Sequence, residues 1–545
     1  MGPVDVIITG FFLILVFAAG SYFYNWVDTP DDLYVAGRQL TPFILAATIT
    51  ATNVNLYSFV GQSGVAYAHG ISIIWQTWTG NMALVFSGLF VLPVLRRLKI
   101  RTVPEFLELR YGSGVRLLVG LLWILRLSFW LGVVLYTAAV AAQTITGFHN
   151  YTAWLLIFSV ITVLYTMLGG MWSVALTDVL QFILMMTGAL ILLPLVMAAV
   201  GWWPGLVHKI EPGHLQLVTQ TGKYNWLFIL AIFVLGVEWA SVDQGLLQRA
   251  FSAKDVRTVA KGLVLGAIIT TPFALMWNLP GLAASVLHPG LANPDSAVPT
   301  VIRTLAPTGV LGLIVCGLLA SQMSTIDSNL NAVATLFTND VYSRFFSRET
   351  TPKQMVWVIR LVTLVAGLFM IGFSYAVPKL GGAVSAYLTV IAIMDMPLFV
   401  IAIVYGLLWR RVNAVGAVLG YLVGAAAGAF ALFGLGFDFN AATFVSAGFA
   451  LATTPVFALL AAPPPSVHVD RVFAARHHNP DDPGDMHTIP ASTAGRASLG
   501  VWLLGLVVFV IGVVMGKWSV TGASAVAVVG MLIYFFGGWL RLQYD

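Results

Sequence analysis

Residues 321–332 read SQMSTIDSNLNA and follow LGLIVCGLLA (311–320), a run apolar enough to enter lipid as a helix. At helical spacing Ser321, Ser324, Thr325 and Ser328 share one face, with Asp327 beside it. A second stretch, ATNVNLYSFVGQSG (51–64), sets Asn53, Asn55, Ser58, Gly61 and Gly64 in the middle of an apolar span. That composition predicts a broken helix, whose exposed backbone carbonyls are tolerated at membrane depth only beside a protein cavity. Carbonyl and hydroxyl oxygens are the donors a hard cation such as sodium prefers. Transporters place such discontinuous helices at the bilayer midplane.

Ionisable side chains inside membrane helices mark functional sites by default. Here they are Arg126, Asp178, Glu238, Asp243, Asp327 and Asp395. Two readings stay open for them. Arg126 can grip a carboxylate bidentately while Glu238 and Asp395 hold an ammonium, or the three can pair with one another and leave a neutral pocket. Asp243, near a helix end, has Arg249 as its expected partner. No HExxH, nucleophile elbow, P-loop or Cys/His cluster occurs, so the polar groups look arranged to bind rather than to cut, and no enzyme is expected.

These residues need membrane helices to hold them. The chain has 545 residues, 59% hydrophobic and 9% charged, against roughly 25% charged in soluble domains. An all-α polytopic membrane protein follows. The single cysteine, Cys316, excludes a disulfide framework. The net charge of +5 points to no nucleic-acid partner, because the basic residues serve as topological signals. The start carries Asp5 where a secretory signal has basic residues, and reads as a retained helix.

Apolar stretches of about 20 residues fall near 4–25, 43–68, 71–95, 115–146, 151–168, 174–200, 225–248, 260–286, 308–338, 355–377, 382–409, 413–434, 440–462, 497–516 and 519–540. Lys and Arg crowd into alternate gaps, as at Arg96, Arg97, Lys99 and Arg101, or Arg249, Lys254, Arg257 and Lys261. The other side has only Lys209, Lys223, Arg303, Lys379 and Lys517. The positive-inside rule then places the N-terminus outside and the C-terminus in the cytoplasm. The Pro-rich segment 463–496 is expected to be a flexible cytoplasmic linker with solvated histidines at 477, 478 and 487.

Seven stretches in order resemble the sodium:solute symporters, a family that includes sodium/glucose cotransporters and bacterial sialic acid and proline carriers. They are YVAGRQLTP (34–42), ATNVNLYSFVGQSG (51–64), YTMLGGMWSVALTDVLQ (165–181), DQGLLQR (243–249), PGLAASVLHP (280–289), SQMSTIDSNLNAVATLFTNDVY (321–342) and LLWRRVNAVGA (407–417). The resemblance implies a LeuT-like core of two inverted repeats of five helices, with one helix before and about four after. In this chain the first repeat is 43–200 and the second 225–411, separated by an outer loop at 201–224. An extra helix and loop (1–42), peripheral helices (412–462), the linker (463–496) and a terminal pair (497–545) complete it. The implied activity is sodium-coupled import of a small polar solute by alternating access, by a monomer in a lipid bilayer. A proton-coupled carrier of the same fold is the alternative; a channel or membrane sensor is the rival class.

The resemblance also implies positions. A sodium ion would sit between the side chains of Ser324 and Thr325 and the backbone oxygens of Ser321, Ala51 and Val54. A second cation, or a proton, is expected among Asp178, Asp327 and Ser328. The solute positions are Asn55, Ser58, Gln76, Thr79, Trp239, Thr270 and Thr389, to which the charges Arg126, Glu238 and Asp395 are added. Sugar, polyol, amino acid and monocarboxylate all stay open as solutes.

Overall fold

The computed structural model describes residues 2–22, 38–346 and 351–544. The expected resemblance at 34–37, and most of the first expected loop, lie outside the described residues. Among those described, eleven helices are long and apolar enough to cross a membrane, and thirteen if each of two bent pairs is one span.

The first bent pair is α2 (Pro42–Asn53) and α3 (Tyr57–His69), which meet at 46°. Thr41 caps the start of α2, and Val54 leaves it in an extended conformation. The break therefore falls in the Asn-rich stretch expected to open. The second pair, α8 (Trp226–Val242) and α9 (Gln244–Phe251), also meets at 46°. Its break is at Asp243, whose carboxylate accepts the Leu246 amide at 3.0 Å and so begins a new helix.

Five longer helices surround these pairs: α4 (Ile71–Arg97), α6 (Ser113–Thr146), α10 (Val256–Leu287), α11 (Val310–Phe346) and α13 (Ala383–Leu408). Between α4 and α6 a short helix, α5 (Val103–Tyr111), lies on the basic face. Preceding all of them, α1 (Pro3–Tyr22) is fastened to the start of α11 by Asp5, which accepts the Gly309 and Gly312 amides at 2.7 and 2.9 Å. The later helices are α12 (Pro352–Ser374), α14 (Ala414–Gly434), α15 (Phe439–Leu460), α16 (Ser466–Ala474), α17 (Thr493–Met515) and α18 (Val520–Gln543).

Two expectations change. The spans placed at 151–168 and 174–200 run on without a helix break as α7 (Tyr151–Val200), 50 residues long, within which Thr177–Val200 is one of the eleven spans and Tyr151–Leu164 a shorter apolar stretch. Nothing between them stops a helix. Gly169 and Gly170 each cost about 1 kcal/mol of helix propensity, but no proline stands there.

The segment 463–496 is not a free linker. It forms α16 and then folds back as a strap, burying Val469, Val472, Phe473 and Met486. Arg97 clamps it, donating from Nε to both Asp485 oxygens at 2.9 Å and from Nη1 to the Ala475 carbonyl at 3.0 Å. His478 lies 3.3 Å from Asp485 and its ring sits 4.1 Å from that of His487. These two histidines are therefore half-buried and packed against each other. Burial works to raise the Asp485 pKa, but Arg97 and the Asn479 and Met486 amides hold it below the usual carboxylate value.

Candidate transport site

The hydroxyl face of α11 packs against the broken pair and against α7. Thr325 donates its hydroxyl to the Thr52 carbonyl, freed at the α2 break, at 3.1 Å, and to its own helix at Ser321 O, 3.2 Å. Ser321 is fully buried and its hydroxyl has no hydrogen-bond partner among the described residues. Ala51 and Val54, also buried, flank Thr52 at the same break. Oxygens of α2 and α11 thus meet at the break, the donor type that a small hard cation prefers.

Ser324 turns the other way and donates to Asp178 Oδ1 on α7 at 2.5 Å. The other Asp178 oxygen accepts from Thr48 and lies 3.4 Å from the Arg249 guanidinium of α9. Arg249 also bonds Ser328, and its Nε donates to Thr48 at 2.9 Å. Ser328 in turn donates to Asp327 at 3.0 Å. The sequence suggests a cation or a proton between the two carboxylates. The structure puts the Arg249 guanidinium beside Asp178 and Ser328. Sequence reasoning assigned that arginine to Asp243, and the reassignment follows from the α8–α9 break, which turns α9 toward α2 and α11.

Beside the broken helices lies a cavity of about 130 Å³. Of the expected solute positions, Asn55, Gln76, Arg126, Trp239 and Thr270 line it; Ser58, Thr79, Glu238, Thr389 and Asp395 do not. The Thr270 hydroxyl is spent on Gly266 O at 2.7 Å and Thr50 at 3.2 Å. Gln76 donates to the Tyr57 hydroxyl at 2.8 Å, and its buried Oε1 has no partner among the described residues. Sequence reasoning missed Gln62, Asn81 and Asn329 in the wall, and an aromatic cluster of Tyr57, Trp130 and Tyr387 with ring centroids 4.6–5.4 Å apart. The amides sit on apolar-looking spans, where a run of Asn and Gln within one helical turn of Thr is the one available signal.

Arg126 is not free. Its Nε and Nη2 donate to Asp395 Oδ2 at 2.9 and 2.7 Å, and its Nη1 donates to Asp243 Oδ2 at 2.9 Å. The Trp123 ring lies 4.9 Å from the guanidinium carbon.

On the side away from the basic face, a second cavity of about 370 Å³ is lined by Asp295, Tyr136, Lys223 and Gly382 among others. Asp295 accepts from Tyr136 and from the Ala383 amide that begins α13, both at 3.2 Å. Burial raises its pKa to about 6, against the opposing pull of those two donors.

The sequence profile of the sodium:solute symporter family matches residues 33–424. The chain belongs to that family. It is a multi-pass membrane transporter, not an enzyme, and its activity is sodium-coupled import of a solute by alternating access. A sodium/glucose cotransporter of Vibrio parahaemolyticus is 27% identical, aligned over 76% of this chain and 83% of its own length. A sodium/myo-inositol cotransporter of Oryctolagus cuniculus is 26% identical, over 78% and 68%. The structure of a sodium-coupled sialic acid symporter superposes with a TM-score of 0.76 at 22% identity, covering 85% of this chain and 99% of that one. A nucleobase-cation-symport transporter follows at 0.53 and 19%, covering 82% and 96%. The likeness shows the fold, the five-plus-five LeuT-like core with added helices at both ends.

Proposed function

We propose that the imported solute is neutral and polyhydroxylated, a sugar or a cyclic polyol. The observation that carries this is the state of Arg126. Arg126, the cation among the described residues of the cavity wall, has its guanidinium engaged by Asp395 and Asp243, so a substrate carboxylate would have to compete with them for its charge. What lines the cavity is a set of amides and aromatic rings. Such groups take hydroxyls by hydrogen bonds and ring faces by stacking. Two relatives carry glucose and myo-inositol in their names, which supports the same class.

The co-transported sodium would sit between Thr325, Ser321 and the carbonyls of the α2 break at Ala51 and Val54. With Arg249 beside Asp178, one sodium per cycle is the reading favoured here, and a second cation at Asp178, Asp327 and Ser328 is not required. The distribution of Lys and Arg supports an outer N-terminus and a cytoplasmic C-terminus; the family resemblance supports Trp239 on the cytoplasmic side of the solute, and a monomer as the transport unit belongs to the same reading.

The test is uptake into sealed vesicles containing the purified protein, under an inward sodium gradient. The panel comprises hexoses, inositols, amino acids and monocarboxylates. Accumulation of a hexose or inositol is the expected result. Accumulation of amino acids or carboxylates alone would mean that Arg126 lets go of its partners to hold the solute.

A further inference from the structure

Glu238 is fully buried on α8, and neither of its carboxyl oxygens has a hydrogen-bond partner among the described residues. It stands within charge–charge range of Asp395, Asp243 and Arg126. The cluster thus holds three carboxyls and one guanidinium. Asp395 and Asp243 take the guanidinium's hydrogen bonds, and Asp243 receives the Leu246 amide as well. None of these bonds reaches Glu238. An ionised carboxylate so placed would be a second net negative charge in a buried site, without a single donor. Its desolvation would cost several kcal/mol.

Other elements around it offer no relief. Tyr387 on α13 and Tyr421 on α14 stand near the cluster, and Arg249 on α9, within charge–charge range of Asp243, is committed to Asp178, Thr48, Ser328 and the Gly245 carbonyl. Among the other helices packed against α8, α15 has no ionisable residue, α4 has only Arg96 and Arg97 at its far end and α17 only Arg496 near its start. The ligand must also be small. Glu238 lines neither the solute cavity nor the cavity beside Asp395 and Arg126, which encloses about 10 Å³, at the lower limit for one water molecule. A proton needs no room; an ammonium group or a hydrated cation does.

We propose that Glu238 is a proton-binding site, neutral in this conformation, which exchanges its proton as α8 and α9 swing about their break at Asp243. The placement couples the two events. Trp239, the next residue, lines the solute cavity, and so do Asp243 and Arg126. A change of angle at Asp243 alters its bond to Arg126, and with it the field at Glu238. On that change the Glu238 O–H bond breaks, its electron pair stays on the carboxylate, and the proton passes to water in the cavity. The reverse change takes a proton back. This site is separate from the Asp178–Arg249 pair and from the sodium position at Thr325.

The test is infrared difference spectroscopy on the full chain in lipid vesicles at neutral pH, with sodium chloride exchanged for choline chloride as the trigger. The parent should show a C=O stretching band of a protonated buried carboxyl, and sodium should change its intensity. E238Q should remove the band, and E238D, which keeps an acid there, should move it. A pH dye outside the membrane, with the parent alone, should register about one proton per protein on the same exchange; this reading does not depend on a variant folding. The proposal fails if the parent has no such band, or if E238Q leaves it in place. It fails equally if sodium changes neither the band nor the dye, since Glu238 is then a permanently neutral structural acid.

Discussion

Replacing Arg126 by Gln removes the cation that stands among three buried carboxyls. In the parent, Arg126 donates to Asp395 at 2.7 and 2.9 Å and to Asp243 at 2.9 Å, with its side chain 3% exposed and the acids 2% and 7%. Breaking a buried pair by deleting one partner costs about 3–5 kcal/mol, because a lone charge is left behind. At 1.4 kcal/mol per factor of ten, that lowers the folding equilibrium by roughly two to three and a half powers of ten. Equilibrium unfolding by added SDS in mixed micelles measures it directly. Adding D395N to R126Q should recover part of the loss, since the neutral amide no longer needs a counter-charge. Adding E238Q should recover almost none, because Glu238 has no bond to Arg126 and is neutral already. An R126Q variant within about 1 kcal/mol of the parent would refute the pairing. So would recovery by E238Q as large as that by D395N.

Three further outcomes follow from named contacts. The Asp295 pKa of about 6 lies above its ordinary 3.8, so the native state binds more protons than the unfolded chain between those values, and stability rises as pH falls from 7 toward 4. The difference is worth about 3 kcal/mol at most; D295N should be more stable than the parent at neutral pH and flatten the stability–pH curve over that range. Arg97→Ala should release the 463–496 strap, seen as new protease cutting within it, while the eleven spans remain protected. Trp239→Ala should speed solute leak without a sodium gradient, because a large amphipathic ring at the cavity wall is lost; leak equal to the parent's would place the gate elsewhere.

Part of this architecture can be read from single stretches of sequence. The hydroxyl face of α11 announces itself because Ser321, Ser324, Thr325 and Ser328 recur at helical spacing in an otherwise apolar run. The α2–α3 break does so because Asn and Gly interrupt a span that lipid should keep apolar. The second break was hidden, since VEWASVDQG continues an apolar run and its one signal, Asp243 as a helix cap, reads equally well as a helix end. The pairing of charges was harder still. Arg126 finds Asp243 117 residues away and Asp395 269 residues away, and composition carries no information about such distances. The strap was misread because prolines and acids dominate it, although Val469, Val472 and Phe473 stand at the spacing of one buried helical face. The solute wall is half legible for a related reason. Asn55 and Gln76 are conspicuous, whereas the exact helix rotation that brings Tyr387 and Ile391 to the cavity and leaves Thr389 out of it depends on packing against neighbours.

The central claim is that Thr325 reaches across to the unwound backbone of α2 at the sodium position. It is tested most directly by the sodium concentration that half-saturates solute uptake in vesicles, compared between the parent and Thr325→Val. Valine keeps the shape and removes the hydroxyl that bonds Thr52 O at 3.1 Å. A lost oxygen ligand with its hydrogen bonds is worth about 1–3 kcal/mol, so the half-saturating concentration should rise by roughly five- to a hundred-fold, with solute binding at saturating sodium retained. An unchanged sodium dependence in a variant that inserts and folds like the parent would contradict the account.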